Sequence, residues 1–366
     1  MIVKDAEVRL YAIPPAARWE DATCKVPRLE FLTVELTTDT EIVGTGLTYT
    51  VGVGGSAIKA LLEDYCVSLV KGLDALCSER AWTLLWEHLH RTGSGGLNTL
   101  AIAGVDTAIW DIVAKTRHLP LYQALGGSHR ALPAYASGID LHLEPDELRG
   151  NLQMYVDQGY RGTKIKVGCP TIDQDVARVA TARETLGGDH LLLLDANQGW
   201  DLQEAQRRLK AFEEFRPYWI EEPLIAEDIE GHARLRRVTD VPIAVGESLY
   251  TSYQFLAYLR AEAADIFQPD VARVGGITPW LKIAHLCEAW NRPVCAHYLR
   301  ELSAHLHCAV PNSLIIEEVL GGSLTDMGLL RRPMPISNGL AEPSILPGHG
   351  IDFDFRRMKE HEVTAA

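Results

Sequence analysis

The chain is short of positive charge. Of its 366 residues, 35 are Lys or Arg against 49 Asp or Glu, a formal net charge of −14. That surplus makes nucleic acid and anionic membrane surfaces poor partners. An anionic substrate would need a local cluster of positive charge. Cysteine pairing signals are missing as well. Seven cysteines are scattered, several inside apolar segments (Cys66, Cys287, Cys308), and no Cys-x-x-Cys pair occurs. This argues against a zinc knuckle or a disulfide framework and predicts reduced thiols in a cytoplasmic protein. No window approaches 18 uninterrupted apolar residues, and residues 1–8 hold no apolar signal core. Neither a membrane span nor a secretory leader is expected. No Gly-x-Gly-x-x-Gly turn follows the first strand of the alternating region, which counts against a dinucleotide fold. Solenoid-type repeats and low-complexity tracts are absent too.

What is present reads as two domains. The length is too great for one small core. Residues 3–12 and 29–37 alternate like strands, with a polar loop at 14–27 between them. Residues 56–90 and 98–116 turn helical, the second with Ile102, Val105, Ala108, Ile109, Ile112 and Val113 on one face. Strands followed by helices predict an α+β domain over residues 1–125. Beyond about residue 130 the texture changes. Eight short apolar runs (131–137, 162–167, 191–195, 218–221, 243–247, 265–268, 293–297 and 314–317) alternate with amphipathic stretches. That pattern predicts a closed parallel α/β barrel over 126–324, with an open doubly wound sheet as the alternative. The Pro- and Gly-rich tail, 325–366, is expected to pack back on the first domain.

The informative feature is how the runs end. The second ends in Lys164-Ile165-Lys166, the third in Asp195-Ala196-Asn197 and the fourth in Glu221-Glu222-Pro223. The fifth ends in Glu247, the sixth leads into Asp270, the seventh ends in His297 and the eighth in Glu317. Ionisable residues are rare in buried strands. In a parallel barrel these ends converge on one mouth. Asp195, Glu221 and Glu247 stand 26 residues apart, one strand–helix unit each. One such acid alone is an ordinary cap or surface ion pair. Three side by side, with no paired arginine, repel, and a hard cation such as Mg²⁺ resolves the repulsion better than zinc.

Lys164 and Lys166 share one face of their strand. Beside another ammonium and near a metal, a lysine loses proton affinity and can act as a base. Asp270 would fix the tautomer of His297 from the neighbouring strand. The lysine and the histidine then flank the α-carbon of a metal-held carboxylate. Removal of its α-proton needs a stabilised enolate, which Mg²⁺, Lys164 and a protonated Glu317 would provide.

The ordered set Lys-x-Lys, Asp-x-Asn, Glu-Glu-Pro, Glu, Asp, His and Glu resembles the enolase superfamily, mandelate racemase subgroup. The stretch from Ala103 through Asp106 and Trp110 to Asp111, the turn from Pro120 to Gly127, and Gly275-Gly276-Ile277-Thr278 resemble the same family. The resemblance covers nearly the whole chain. It implies a modified TIM barrel, (β/α)7β, with an N-terminal α+β capping domain. It also implies one Mg²⁺ per subunit on Asp195, Glu221 and Glu247, with Lys166 and the His297–Asp270 pair as opposed bases. Lys164 and Glu317 would contact the substrate carboxylate or enolate, and Asn197 a substrate hydroxyl. A homo-oligomer, octamer or dimer, is implied as well.

The loop that the resemblance places over the substrate helps decide among reactions. Five of the eleven residues from Arg18 to Arg28 are charged. An aryl substrate would want an apolar lid, whereas Arg18, Lys25 or Arg28 could meet a distal hydroxyl or carboxylate. The expectation is therefore a hydro-lyase, an Mg²⁺-dependent dehydratase of an aldonate or aldarate that forms a 2-keto-3-deoxy acid. The alternative is a racemase or epimerase of a 2-hydroxy or amino acid using the same two bases. A zinc hydrolase would need His-x-His near the first barrel strand, where only Ser137 and a lone His142 occur. His88/His90 and His305/His307 fall in helical patterns, where such pairs point about 200° apart. A catalytically silent binding protein would normally have lost part of the acid and base set, and none is missing.

Overall fold

The computed structural model describes residues 1–364. The chain opens with β1 (Val3–Ile13), a two-rung hairpin of β2 (Trp19–Glu20) and β3 (Lys25–Val26), then β4 (Leu29–Thr38) and β5 (Val43–Thr50). Strands β1, β4 and β5 form an antiparallel sheet with β4 in the centre, pairing Tyr11 with Phe31 and Thr33 with Leu47. The helix Leu97–Thr116 packs on this sheet. It was expected to bury one face, but it is buried on almost every side from Asn98 to Ala114. The sheet covers one side, and the helices Ser78–Leu89 and Ile277–Ala289 cover the others. Gly46 permits the close approach, because a Cβ there would strike the carbonyl of Gly104. Among the described residues this is the one helix long and apolar enough to cross a membrane, yet 89% of its apolar window lies inside the protein.

The second domain is a parallel barrel. Strands β6 (Leu132–Ser137), β7 (Gly162–Lys166), β8 (Leu191–Asp195), β9 (Trp219–Glu221), β10 (Ile243–Val245), β11 (Ile266–Phe267) and β12 (Ile316–Val319) lie in the order β11-β10-β9-β8-β7-β6-β12. Segment 293–297 closes the ring, with single bridges from Val294 to Phe267 and to Ser313. The seventh run thus makes bridges rather than a ladder, since Pro293 has no N–H to give. One helix follows each of the first seven strands, so the chain folds as (β/α)7β. Tyr135, Leu193, Trp219, Ala244, Ile266, Cys295 and Ile315 fill the interior below the mouth as a separate apolar plug.

Two motifs far apart in the sequence form the joint between the domains. Asp106 accepts hydrogen bonds from Thr278 N (2.9 Å) and Thr278 Oγ1 (2.6 Å), capping the helix Ile277–Ala289. Trp110 Nε1 donates to the same hydroxyl at 2.9 Å. Gly276 has φ +106°, and a Cβ there would run into Asp106.

The tail divides between the domains. β13 (Leu340–Ala341) pairs antiparallel with the start of β6, and Arg300 donates to the carbonyl of Met334. Farther on, His349 Nε2 meets the carbonyl of Thr45 at 2.6 Å, and Val363 N donates to Leu10 O at 2.8 Å.

Candidate active site

Sheet register assembles the mouth. Lys166 is the Cα partner of Asp195, and Asp195 is the partner of Glu221. One oxygen from each of Asp195, Glu221 and Glu247 lies within 4.8 Å of the others. Asp195 and Glu221 are fully buried and Glu247 nearly so. The chain leaves several of these strands through non-glycine residues with positive φ: Asn197 (42°), Gln198 (63°), Glu222 (39°) and Tyr298 (51°). Each sits one to three residues past a mouth side chain, and such backbone is held only where neighbours over-determine it. The anchors are Asn197 N to Asp195 Oδ1 (2.9 Å), Gln198 N to Glu222 O (2.7 Å) and Tyr298 N to Glu317 Oε2 (2.8 Å).

The lysines thread through the acids. Lys164 Nζ lies 2.8 Å from Glu221, 2.8 Å from Glu317 and 3.3 Å from Asp195. Lys166 Nζ lies 2.5 Å from Asp195. On the far flank His297 Nδ1 meets Asp270 Oδ2 at 2.7 Å, and its Nε2 meets Glu247 Oε2 at 3.1 Å. Lys166 stands on β7 and His297 on the seventh strand segment, with β6 and β12 between them on one side and β8 to β11 on the other.

Two expectations need correction here. The acids were read as having no paired arginine, but Arg273 NH1 donates to Glu247 O (2.9 Å) and Oε1 (3.4 Å). The proton affinity of Lys164 and Lys166 in the protein alone runs the other way from that expected beside a bound metal. Burial presses both down, but Glu221, Glu317 and Asp195 around Lys164, and Asp195 beside Lys166, outweigh it and raise both. Glu317 was expected to be protonated. Burial opposes its charge, yet Lys164 and His297 hold its carboxyl down to about 2, so it is an anion in this arrangement. Elsewhere, burial, with Asp195 and Glu317 close by, pushes Glu221 up to about 8 against the pull of Lys164. Burial would also empty His297 of its proton, but Glu247 and Asp270 reverse that and raise it to about 10.

A third correction concerns the lid. β2 and β3 pair Trp19 with Val26 and Glu20 with Lys25. Period-two alternation turns Trp19 and Val26 inward and Lys25 outward. Arg18 and Lys25 are 63% and 74% exposed, and both pair with Glu20, at 2.6 and 3.5 Å. Arg28 pairs with Glu30 at 3.5 Å. None of the three lines the cavity between cap and mouth, which Trp19, Asp21, Val26, Leu29 and Val51 wall from above.

The buried acid triad suits a hard divalent cation. It offers oxygen donors only, and Glu221 Oε2 is aimed by Gln268 Nε2 (2.7 Å) and Trp219 Nε1 (3.3 Å). Asn197 lines the cavity with a buried, unpartnered Oδ1, free to accept from a hydroxyl.

Sequence reading missed several contributors. Tyr49, at the end of β5 in the cap, donates to Asp270 Oδ2 at 2.5 Å. Arg178 Nε donates to Lys166 O (2.8 Å), and its NH2 donates to Asp140 O and Oδ1 (2.7 Å each). Asp140 Oδ1 in turn accepts Lys166 N at 3.0 Å. The Lys166 peptide is thus held on both sides. A signal did exist for Arg178: it lies with Asp175, Val179, Ala182 and Leu186 on the buried stripe of its helix, where a charge needs a buried partner. His305 and His307, set aside as metal ligands, are buried and structural. Burial pushes both down to about 3, and they meet His349 O (3.0 Å) and Ser313 Oγ (2.8 Å).

The family model for the mandelate racemase / muconate lactonizing enzyme N-terminal domain matches residues 10–126, and that for an enolase C-terminal domain-like unit matches 147–357. The chain belongs to the enolase superfamily, in its mandelate racemase subgroup. It is 35% identical to a 3,6-anhydro-α-L-galactonate cycloisomerase of Streptomyces coelicolor, over 98% of each chain. Among solved structures, a racemase of Streptomyces coelicolor with bound magnesium superposes with TM-score 0.95 at 35% identity, covering 99% of this chain and 100% of that one. An L-talarate/galactarate dehydratase of Salmonella typhimurium, liganded with Mg and L-lyxarohydroxamate, superposes with TM-score 0.93 at 30% identity, covering 99% and 93%. Members named for dehydration, cycloisomerisation and racemisation therefore share this fold.

Proposed function

We propose that this enzyme dehydrates an acid sugar to a 2-keto-3-deoxy acid. The observation that carries the reading is the opposition of Lys166 to the Asp270-held His297 across one cavity, with an acid triad, Lys164 and Glu317 at its floor. Lys166 takes the α-proton from one face. The electron pair of the broken Cα–H bond passes into the carboxyl group and returns to form Cα=Cβ. The β-hydroxyl leaves with a proton from His297 Nε2, and the enol product tautomerises to the 2-keto acid. Asp270 on Nδ1 fixes which ring nitrogen faces the substrate. Lys164 donates to the substrate carboxyl, and Asn197 accepts from a hydroxyl. A Mg²⁺ held by Asp195, Glu221 and Glu247 would supply positive charge to the carboxyl group and draw off the negative charge that keeps Lys166 protonated.

Support comes from the relatives named for dehydration of sugar acids and solved with magnesium. A second reading, cycloisomerisation, is favoured by the 35% identity to the anhydrogalactonate enzyme. It begins with the same proton removal, and the leaving oxygen stays tethered. The test is a panel of four- to six-carbon sugar acids and their anhydro forms with Mg²⁺. Semicarbazide-reactive keto acid, with water lost by mass, supports dehydration, whereas keto acid without loss of mass selects cycloisomerisation. α-Proton exchange without keto acid selects racemisation.

A further inference from the structure

We infer that the substrate is a monoacid: its far end carries no second carboxylate, so the enzyme works on aldonate-type rather than aldarate-type sugars. The inference rests on the acid-sugar reading above and deepens it. One carboxyl end belongs to the mouth, where Lys164 and the acid triad lie. The rest of the substrate must run towards the cap. There it meets Trp19, Val26, Leu29 and Val51, the Asp21 carboxylate, and the Tyr49 phenol, whose proton is already given to Asp270. Every cation of the lid is turned away and already paired, Arg18 and Lys25 with Glu20 and Arg28 with Glu30. The barrel-side cations of the cavity are committed as well, Lys164 and Lys166 to Glu221, Glu317 and Asp195, and Arg273 to the carbonyl and carboxylate of Glu247. A second carboxylate would be desolvated against indole and valine beside the Asp21 carboxylate, with no free cation to pair with it. A hydroxyl in the same place can donate to Asp21, and a carbon or ring edge can lie on Trp19.

The experiment uses the full-length protein with Mg²⁺ and matched pairs of equal stereochemistry, aldonate against aldarate. It reads both keto-acid formation and α-proton exchange in D₂O. The expected result is a kcat/KM about 100-fold higher for the monoacid of the productive pair. Val26→Lys, which adds an ammonium to the cap wall, is expected to close that gap by about tenfold, whereas Lys25→Ala leaves it unchanged. Equal or better turnover of the diacid overturns the inference while leaving the acid-sugar reading intact. Absence of both keto acid and exchange for every acid overturns the two together.

Discussion

The lid hairpin and the barrel mouth both hold many charges, and they use them in opposite ways. In residues 18–28 the cations lie outside, exposed and paired with Glu20 and Glu30. At the mouth Lys164, Lys166, Asp195, Glu221, Asp270 and Glu317 are all buried. The difference is one of backbone geometry. A two-rung hairpin alternates, so each inward residue has an outward neighbour, and charge density says nothing about direction. The end of a barrel strand offers no such choice, because the ring gathers all the ends on one mouth. Buried charge in the second setting must be paired with other charge or with a ligand, and here it is paired with both signs at once.

The comparison breaks first at the mouth. Lys166→Met and His297→Asn are each expected to lower keto-acid formation by about 10²–10⁴-fold. An unchanged rate in either variant would move that residue out of the chemistry. Glu221→Gln is expected to weaken Mg²⁺ or Mn²⁺ binding at least ~10–100-fold, read by titration calorimetry without any substrate. Binding as tight as in the parent protein would show that the triad does not hold the ion. Arg178→Met frees the Lys166 peptide, so kcat is expected to fall by about 10–100-fold with little change in KM. Arg178→Lys should recover little, since a single ammonium cannot make the three-way fork.

Acidity separates buried from exposed titratable groups. His305 and His307 stay neutral when folded, and burial pushes both down to about 3. Below the ordinary histidine range the unfolded chain binds protons that the folded chain refuses. Stability is therefore full above about pH 6.5 and falls towards pH 3, by about 1.4 kcal/mol per pH unit for each histidine. Denaturant midpoints at pH 7 and pH 5 check this, and His307→Gln should flatten the slope. The smallest effects belong to the rim. Arg18→Ala and Lys25→Ala are expected to change stability by less than about 0.5 kcal/mol and kcat/KM hardly at all. A large loss of kcat/KM in either would return the lid cations to the substrate.

Much of this was legible in the amino-acid order. The eight runs, the 26-residue spacing of Asp195, Glu221 and Glu247, and the residues at the ends of all runs but the first place the ring of ionisable groups, because period and position survive folding unchanged. Asp106 and Thr278 were visible as motifs but not as partners, since contacts 172 residues apart have no local signature. Charge state was the least legible. Glu317 was read as protonated because an enolate wants a donor, but Lys164 at 2.8 Å decides the matter, and that distance lies in the packing. The same holds for Arg273 and Tyr49, whose partners Glu247 and Asp270 are reached only through tertiary structure.

The central claim is that Lys166 and His297 face one α-carbon from opposite sides. The most direct measurement is proton NMR of the preferred sugar acid in D₂O with Mg²⁺, comparing the parent protein with Lys166→Met and His297→Asn. The account predicts that keto acid disappears in both variants and that α-deuterium enters residual substrate through at most one of them, the one that retains the base. Deuterium incorporation at the parent rate in both variants would contradict it.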